Sequence, residues 1–375
     1  LDFDVAIKGE TLSVTTPDHR LDIGEGVIGK ADLMEEIARI YGYEKIPETR
    51  MADALPPQRG NPELQKEERV RDVLANLGLQ EVITYRMTTP ELEARRLPPE
   101  TRKNDHPYME LQNPISQERT VMRQSLLASM LEIVERNIKL RERLAFFEIG
   151  PVYRASESGP LPDEISRLVL ALRGPRELAQ WDSEGAGDFD FADLKGMVEE
   201  MLEALQIEGV SYARGEHPAF HPGKCARVLQ GETQLGVIGE LHPLVQGQYD
   251  LGDVPVMVGT FNMEALMAAI PERFDSAAVP NFPPVIEDVA FIVAEDLPAG
   301  DMQAMIEQTG GRLLVDVQLF DIYRGEQIGI DKKSLAYTLT YQHPERTLTD
   351  EEVAKIRTKI VKRLEREMGA KLRDE

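Results

Sequence analysis

From residue 280 to its end, the chain alternates strand and helix patterns in one particular order. Strand patterns span 285–294, 313–323 and 334–342, helix patterns span 301–309 and 350–368, and a short segment at 370–373 follows. From Leu335 to Tyr341 every second residue is leucine or tyrosine, as the half-buried face of a strand requires. The order βαββαβ predicts a ferredoxin-like domain.

The residues from about 55 to 275 predict a separate α+β domain. Asn61 and Pro62 begin a helix pattern that stops at Gly78, and further helix patterns lie at 121–140 and 191–206. Strand patterns lie at 81–87, 145–154, 165–174, 224–230, 233–241 and 254–262. Because short turns join closely spaced strands, we expect a largely antiparallel sheet with helices packed on it.

Charge is distributed unevenly along the chain. The formal net charge is −23, which argues against unspecific binding to nucleic acid because a phosphate-binding surface needs Lys and Arg. Residues 331–373 nevertheless carry 11 Lys and Arg against 7 Asp and Glu, a local net charge of +4. A positive patch on an acidic protein can bind a polyanion while the remainder stays soluble.

The sequence predicts neither a membrane span nor a disulfide framework. No apolar run approaches the roughly 20 residues that cross a bilayer. The single cysteine, Cys225, leaves no partner for an internal disulfide and fits a reducing compartment. The chain opens on a segment that resembles the middle of a domain, so we expect the C-terminal part of a longer protein.

Residues 18–48, DHRLDIGEGVIGKADLMEEIARIYGYEKIPE, place four carboxylates around a glycine-rich segment. We expect a helix to begin near Asp32, so that Asp32, Glu35 and Glu36 share one face. The opposite face is apolar, and we expect it to be buried. It consists of Leu33, Ile37, Ile40 and Tyr41.

Two interpretations of these carboxylates remain open at this point. In the first, Asp32 caps the helix, Glu35 completes a capping box, and the acidic residues favour the positive end of the helix dipole. In the second, the glycine-rich loop brings Asp22 back to the other three around a shared cation. Mg²⁺ prefers oxygen ligands and keeps several waters, so a few carboxylates suffice.

A histidine-containing segment suggests another type of site. HPAFHPGKC places His217 and His221 four residues apart, and GELHP adds Glu240 and His242. Zinc enzymes use such side chains. The two prolines of the first segment exclude a regular helix that carries both histidines. We therefore expect histidines of turns and surfaces here, rather than a catalytic metal site.

Phrases along essentially the whole chain resemble the β subunit of bacterial phenylalanine–tRNA ligase. The first is the acidic segment from HRLDIGEG to GYEKIPE. The others follow in the order found in the family: GLQEVITYRM, LQNPISQERTVMRQSLLASMLEIVERN, FFEIGPVYR, FHPGKCARV, GVIGELHP, FPPVIEDVAFIV, LFDIYRGEQIGIDKKSLAYTLTYQHPERTLTDEEV and GAKLR. Their number and order make the resemblance much more specific than any single motif above.

The resemblance implies three parts. Residues 1–50 would be part of a helical, winged-helix-like module, 55–275 a class II synthetase-like domain without its own active site, and 280–375 a ferredoxin-like anticodon-binding domain. Members of the family are cytoplasmic α2β2 tetramers. The α subunit uses ATP to attach phenylalanine to tRNA(Phe), while the β subunit supports assembly, binds tRNA and contacts its anticodon region.

The resemblance also implies site residues. The Mg²⁺ ligands of the family, which are shared with the α subunit, fall on Asp22, Asp32, Glu35 and Glu36. The basic C-terminal helix fits phosphate contacts to tRNA. Its candidate residues are Lys355, Lys359, Lys362, Arg363 and Arg366.

The chain departs from the family pattern in two places. The glycine-rich loop between Asp22 and Asp32 is longer than in many members, which affects the position of Asp22. Glu287 also stands where many relatives have Arg before the following Asp, which affects one local contact of the C-terminal domain.

Two other functions remain as alternatives. The first is a stand-alone RNA-binding or regulatory module derived from this subunit, which would bind tRNA without a partner. The second is a metal-dependent hydrolase that uses the histidines, which would turn over substrate by itself and lose activity with chelators.

Overall fold

The structure is a computed structural model that describes residues 1–49, 57, 59–101, 106–156, 159, 161–182, 184–274 and 279–373. The chain divides into two compact units, Leu1–Gly60 and Asn61–Glu375. The predicted domain boundaries at 50–55 and 275–280 fall mostly on residues outside these ranges. Within them, no helix is long and apolar enough to cross a membrane.

The first unit consists of a β-hairpin and a helix. Strands β1 (Asp4–Lys8) and β2 (Thr11–Thr15) pair in antiparallel orientation. Helix α1 (Gly26–Tyr41) follows, and a 3₁₀ turn (Tyr43–Lys45) ends the regular structure. Asp22 precedes the helix, so the candidate metal ligands come from both the loop and the helix.

Helix α1 begins about a turn and a half before the predicted start near Asp32. Its N-cap is Glu25, which makes no side-chain capping hydrogen bond, so the predicted capping box is also wrong. The early start depends on Gly29, since a Cβ at that position would lie 2.1 Å from the carbonyl oxygen of Gly24. Part of the expected glycine-rich loop is therefore the first turn of the helix.

The apolar face of α1 is largely exposed within this unit, contrary to the prediction. Ile37, Ile40 and Tyr41 are 61, 65 and 59% exposed, and only Leu33 is half-buried. The amphipathic pattern is present, but no layer in the described part of the unit covers it.

The second unit contains a large sheet domain. Its elements are α2 (Pro62–Asn76), β3 (Gln80–Glu81), β4 (Met87–Thr88), α3 (Pro90–Ala94), β5 (Val121–Met122), α4 (Leu126–Asn137), β6 (Leu144–Arg154), β7 (Asp163–Arg173), α5 (Phe191–Ala204), β8 (Val210–Arg214), β9 (Phe220–Gln230), β10 (Thr233–Leu241), α6 (Pro243–Gln246), β11 (Val256–Asn262) and α7 (Met263–Ala269). Asn61 caps α2 as predicted, accepting a hydrogen bond from the Leu64 N–H at 3.2 Å.

Seven of these strands form one sheet in the order β3-β6-β7-β11-β10-β9-β8. All neighbouring strands are antiparallel except the short β3 beside β6. Helices α2, α5 and α7 contribute to the hydrophobic core on one face, and α4 contributes to the core on the other. The prediction of an antiparallel α+β domain is confirmed.

Two elements of this domain are shorter than predicted. The helix expected at 121–140 begins only after Ser125, whose hydroxyl accepts a hydrogen bond from the Leu127 N–H at 3.1 Å. Val121 and Met122 form strand β5 instead. The strand expected at 81–87 is also interrupted, because only its two ends belong to β3 and β4.

A buried ion pair explains both interruptions. The side chains of Arg123 and Glu148 are 2 and 3% exposed, and the Arg123 Nη1 lies 2.8 Å from the Glu148 Oε1. The Thr84 hydroxyl donates to Glu148 at 2.8 Å, and the Arg123 Nε donates to the Pro151 carbonyl at 2.9 Å. These contacts draw residues 82–86 and 123 out of regular structure. Gly150 leaves room for the guanidinium, because a Cβ there would lie 2.6 Å from the Arg123 Nη2.

The C-terminal part has the predicted ferredoxin-like topology. Its elements are β12 (Val285–Ala294), α8 (Ala299–Gly310), β13 (Leu314–Tyr323), β14 (Lys332–Tyr341), α9 (Asp350–Met368) and β15 (Lys371–Leu372). The strands form an antiparallel sheet in the order β13-β14-β12-β15. The alternating residues of β14 from Leu335 to Tyr341 are buried, so they belong to the core, as expected.

We predict that Arg123→Met lowers the free energy of unfolding by about 3–5 kcal/mol, because Glu148 then stays buried without its charged partner. The matched control is Lys139→Met, which breaks an ion pair whose side chains are 70 and 73% exposed and should cost less than about 1 kcal/mol. Urea denaturation followed by circular dichroism measures both. Equal effects of the two substitutions would contradict a structural role for the buried pair.

Candidate functional site

Arg20 joins two of the four predicted metal ligands. Its Nε and Nη2 donate to the two carboxylate oxygens of Asp22 at 2.8 and 2.7 Å, and its Nη2 also lies 3.0 Å from the Glu36 Oε1. Arg39 donates to the other oxygen of Glu36 at 2.7 Å. The loop and the helix are therefore connected here by a guanidinium between two carboxylates.

The other two carboxylates have different partners. The Asp32 Oδ2 accepts a hydrogen bond from the Gly24 N–H at 2.8 Å, which fastens the segment before α1 to the helix. The Glu35 Oε1 accepts one from the Tyr43 hydroxyl at 3.3 Å. Among the described residues, no three His, Cys, Asp or Glu side chains converge in a way that could hold a metal ion.

Asp22 and Glu36 are already neutralised without a metal ion, because Arg20 and Arg39 pair with them. Hydrogen bonding to Arg20 lowers the pKa of Asp22 to about 2, and hydrogen bonds from Arg20 and then Arg39 lower that of Glu36 to about 2. Both carboxylates are thus ionised and paired at neutral pH. The arrangement does not fit a Mg²⁺ ion held by this chain alone, because Arg20 pairs with two of the four proposed ligands.

His217 and His242 lie outside regular structure, as expected from their sequence, whereas His221 lies in the strand β9. The Nδ1 atoms of His217, His221 and His242 accept backbone N–H groups two residues further along the chain, at 3.2, 3.0 and 3.1 Å. Glu240 pairs with Lys224. These contacts bind the histidines to the neighbouring backbone, and no metal cluster forms from them within the described residues.

Helix α9 separates its basic residues into two groups. Lys355, Lys359 and Lys362 are exposed on the side opposite its buried residues Val353, Ile360 and Leu364. None of the three lysines forms an ion pair with a described residue. A helix face with three such ammonium groups provides phosphate contacts of the kind that nucleic acids require.

The two arginines predicted with them have protein partners. Arg363 pairs with Glu367 at 3.2 Å and donates to the Thr309 hydroxyl at 3.0 Å, while Arg366 also pairs with Glu367. Arg363 therefore contributes to the packing of the helix, whereas Arg366, whose side chain is 76% exposed, contributes to its charge balance through Glu367. The three lysines are therefore more available than the two arginines to bind an external anion.

The unusual Glu287 has a local partner as well. The Arg357 Nη1 of α9 donates to its Oε1 at 3.1 Å. Its Oε2 is buried and has no hydrogen-bond partner among the described residues. The acidic side chain thus ties β12 to α9 through Arg357.

A buried carboxyl group at Glu93, which is 0% exposed, was not expected from the sequence. Both of its oxygens accept the Gln124 N–H, at 2.9 and 3.0 Å, just before Ser125 caps α4. Burial raises its pKa to about 7, although the Gln124 N–H and the Arg96 charge oppose the shift. Glu93 is one of two acidic residues in the first turn of the short helix α3. Acidic residues are common at that position, so nothing in the sequence indicates that this one is buried.

Family models match the chain in three consecutive segments. Residues 1–43 match the tRNA synthetase B5 domain, 46–263 the phenylalanyl-tRNA synthetase beta chain CLM domain, and 280–373 the ferredoxin-fold anticodon-binding domain. These are domains of an aminoacyl-tRNA synthetase. Since the second model covers more than half of the chain, the chain belongs to the phenylalanyl-tRNA synthetase β-chain family.

Similar curated proteins are phenylalanine–tRNA ligase beta subunits. That of Clostridium tetani is 37% identical over 100% of this chain and 45% of its own length. That of Clostridium acetobutylicum is 36% identical over the same shares. The chain thus spans less than half the length of these relatives. Among solved structures, a pyrrolysyl-tRNA synthetase of Desulfitobacterium hafniense has a TM-score of 0.42 at 19% identity, covering 64% of this chain and 73% of the other.

We predict that ionisation of Glu93 makes the sheet domain less stable as pH rises. The pKa of Glu93 is higher in the folded protein than its ordinary value of 4.5. Below pH 4.5 the neutral carboxyl group therefore leaves the folded state at its full stability, and this stability is lost as the pH rises towards 7. A pKa shift of this size corresponds to a change of roughly 3 kcal/mol in the free energy of unfolding. Glu93→Gln, which stays neutral, should flatten this dependence in urea denaturation between pH 5 and pH 8.

The matched control is Glu91→Gln, an exposed carboxylate of the same helix, which should leave the pH dependence of wild type unchanged. If Glu93→Gln shows the same slope with pH as wild type, Glu93 does not ionise in this range in the folded protein.

Proposed function

We propose that this chain is the part of a phenylalanine–tRNA ligase β subunit that assembles with the catalytic α subunit and binds tRNA(Phe), including its anticodon region. The observation that carries the proposal is the succession of three family matches along the chain. In the α2β2 enzyme, the α subunit uses ATP and Mg²⁺ to attach phenylalanine. The β chain contributes binding surfaces in the cytoplasm rather than reacting groups.

The C-terminal domain supports the tRNA-binding part of the proposal. It matches an anticodon-binding family and presents the exposed lysines of α9 without ion-pair partners among the described residues. Single-stranded bases bind by stacking and edge contacts, and the phosphates between them require cations. The buried tyrosines of β14 are not stacking platforms, because Tyr337 and Tyr341 are 0% exposed.

The magnesium assignment stays a prediction. Asp22, Asp32, Glu35 and Glu36 are the proposed ligands, and the α subunit would supply the remainder of the site. Metal binding would require Asp22 and Glu36 to exchange Arg20 for the cation, since that guanidinium pairs with both.

The decisive experiment is native mass spectrometry of this chain mixed with a bacterial α subunit. We expect the mass of an α2β2 complex, and we expect EDTA to reduce it if the four carboxylates hold a shared Mg²⁺. Glu35→Gln with Glu36→Gln should weaken the Mg²⁺ dependence, whereas Glu44→Gln, an exposed carboxylate just after α1, should not. A monomer under all conditions, together with tRNA binding, would favour the stand-alone RNA-binding module instead.

We also predict the salt dependence of tRNA binding. Replacing Lys355, Lys359 and Lys362 together by Gln removes three phosphate contacts, so the slope of log K against log salt concentration should fall by roughly 2. Filter binding of tRNA(Phe) to the assembled enzyme, at salt concentrations from about 50 to about 200 mM, measures this slope.

Lys139→Gln is the control, because Lys139 is an exposed lysine of the sheet domain that pairs with Asp250. An unchanged slope in the triple variant would remove these lysines from the tRNA-binding surface. A lower slope in the control would mean that general charge, rather than this helix face, decides the affinity.

A further inference from the structure

The large sheet carries a cavity of about 480 Å³ near the start of α4. It extends over four adjacent strands, β6, β7, β11 and β10, and its wall includes three arginines: Arg96, Arg154 and Arg167. This volume lies in the range of small-molecule sites. The concentration of guanidinium groups is unexpected in a chain with a net charge of −23.

The strand register places the polar residues of the cavity on one face of the sheet. Asn262 pairs with Arg167, and Thr260 pairs with Val169. Because side chains alternate along a strand, these four residues share a face. Val169 belongs to the same core as α4, so the polar group lies beyond the end of that core, where the helix begins.

Two of the three arginines have no carboxylate that pairs with them among the described residues. Arg154 and Arg167 form no ion pair with a described residue, and Arg167 donates only to the neutral Asn262 oxygen at 2.9 Å and the Ser166 carbonyl at 3.1 Å. Burial, and then the charge of Arg154, lower the pKa of Arg167, although the charge of Glu264 opposes the shift. Two cations that repel each other in a partly enclosed site are stabilised by an anion.

Arg96 adds a third donor. Its Nε is buried without a hydrogen-bond partner among the described residues and lies 3.8 Å from the Glu93 Oε1, beyond hydrogen-bond distance. A buried guanidinium N–H without an acceptor is costly. An oxygen atom of a bound anion would satisfy it.

Neutral donors complete the wall. Burial lowers the pKa of His217 to about 4, so its imidazole is neutral at pH 7. Because its Nδ1 accepts the Ala219 N–H, the proton is on Nε2. Ser125, Leu126 and Leu127 at the start of the twelve-residue helix α4 also line the cavity, and the positive end of a helix dipole favours an anion.

We propose that this cavity binds a small oxyanionic molecule of about the size of a nucleoside monophosphate, held by Arg96, Arg154 and Arg167. The apolar floor of Val152, Val169 and Val237 accommodates its uncharged part. The site binds a ligand without carrying out chemistry on it, and the residues that hold the ligand all belong to this chain.

The test is isothermal titration calorimetry of the full chain with AMP, inorganic phosphate, phenylalanine and the neutral control adenosine. We expect saturable binding of AMP that adenosine does not show. Binding of phosphate identifies a phosphate group as the recognised oxyanion, and binding of phenylalanine alone identifies a carboxylate. The absence of saturable binding for all three anions would overturn the proposal.

Variants locate the binding in the cavity. Arg154→Met and Arg167→Met should each weaken the affinity at least about tenfold, whereas Arg136→Met, which removes a 64% exposed arginine of α4, should not. An equal loss in Arg136→Met would overturn the proposal in favour of unspecific attraction.

Thermal unfolding provides a second readout that also verifies folding. The bound anion should raise the melting temperature of wild type, since a ligand that binds only the folded state stabilises it. Arg154→Met should fold without the anion, because it relieves the repulsion with Arg167, and should gain less on its addition. Equal stabilisation of both proteins by AMP would place the binding outside this cavity.

Discussion

The buried pair of Arg123 and Glu148 fixes the geometry of the sheet domain. Each charge is tolerated in the interior only because the other is present and because Thr84 and the Pro151 carbonyl satisfy the remaining polar atoms. The pair attaches residues before β4 and after β5 to the strand β6. Arg123 lies two residues before the Ser125 cap of α4, so the pair also fixes the segment that leads into this helix and the polar cavity beside it.

The sequence predicted well those elements that depend on local periodicity. The bounds of β12 and α9 agree with the patterns at 285–294 and 350–368, because alternating or helical apolar residues face a single core. The patterns at 81–87 and 121–140 predicted elements that are too long, because the contact between Arg123 and Glu148 interrupts them. These two residues are 25 positions apart in the sequence. No local pattern contains that information.

Among the candidate sites, too, some features follow from local periodicity and others depend on contacts between distant residues. The exposure of Lys355, Lys359 and Lys362 is a consequence of the helical period of α9, which places them opposite its buried residues. The pairing of Arg20 with Asp22 and Glu36 did not, because it depends on how the loop folds back on α1, which starts earlier than its acidic pattern indicates. The arginine cavity was also beyond prediction, since β6 and β7 meet α4 only in the folded sheet.

Gly150 shows how an ion pair can constrain a residue that carries no charge. Because a Cβ at this position would occupy the space of the Arg123 guanidinium, even alanine would have to displace a buried cation. The strand β6 thus needs a residue without a side chain at this point. Evolution of this domain can exchange many of its apolar side chains for others of similar size, but a side chain at position 150 also requires the Arg123 guanidinium to move.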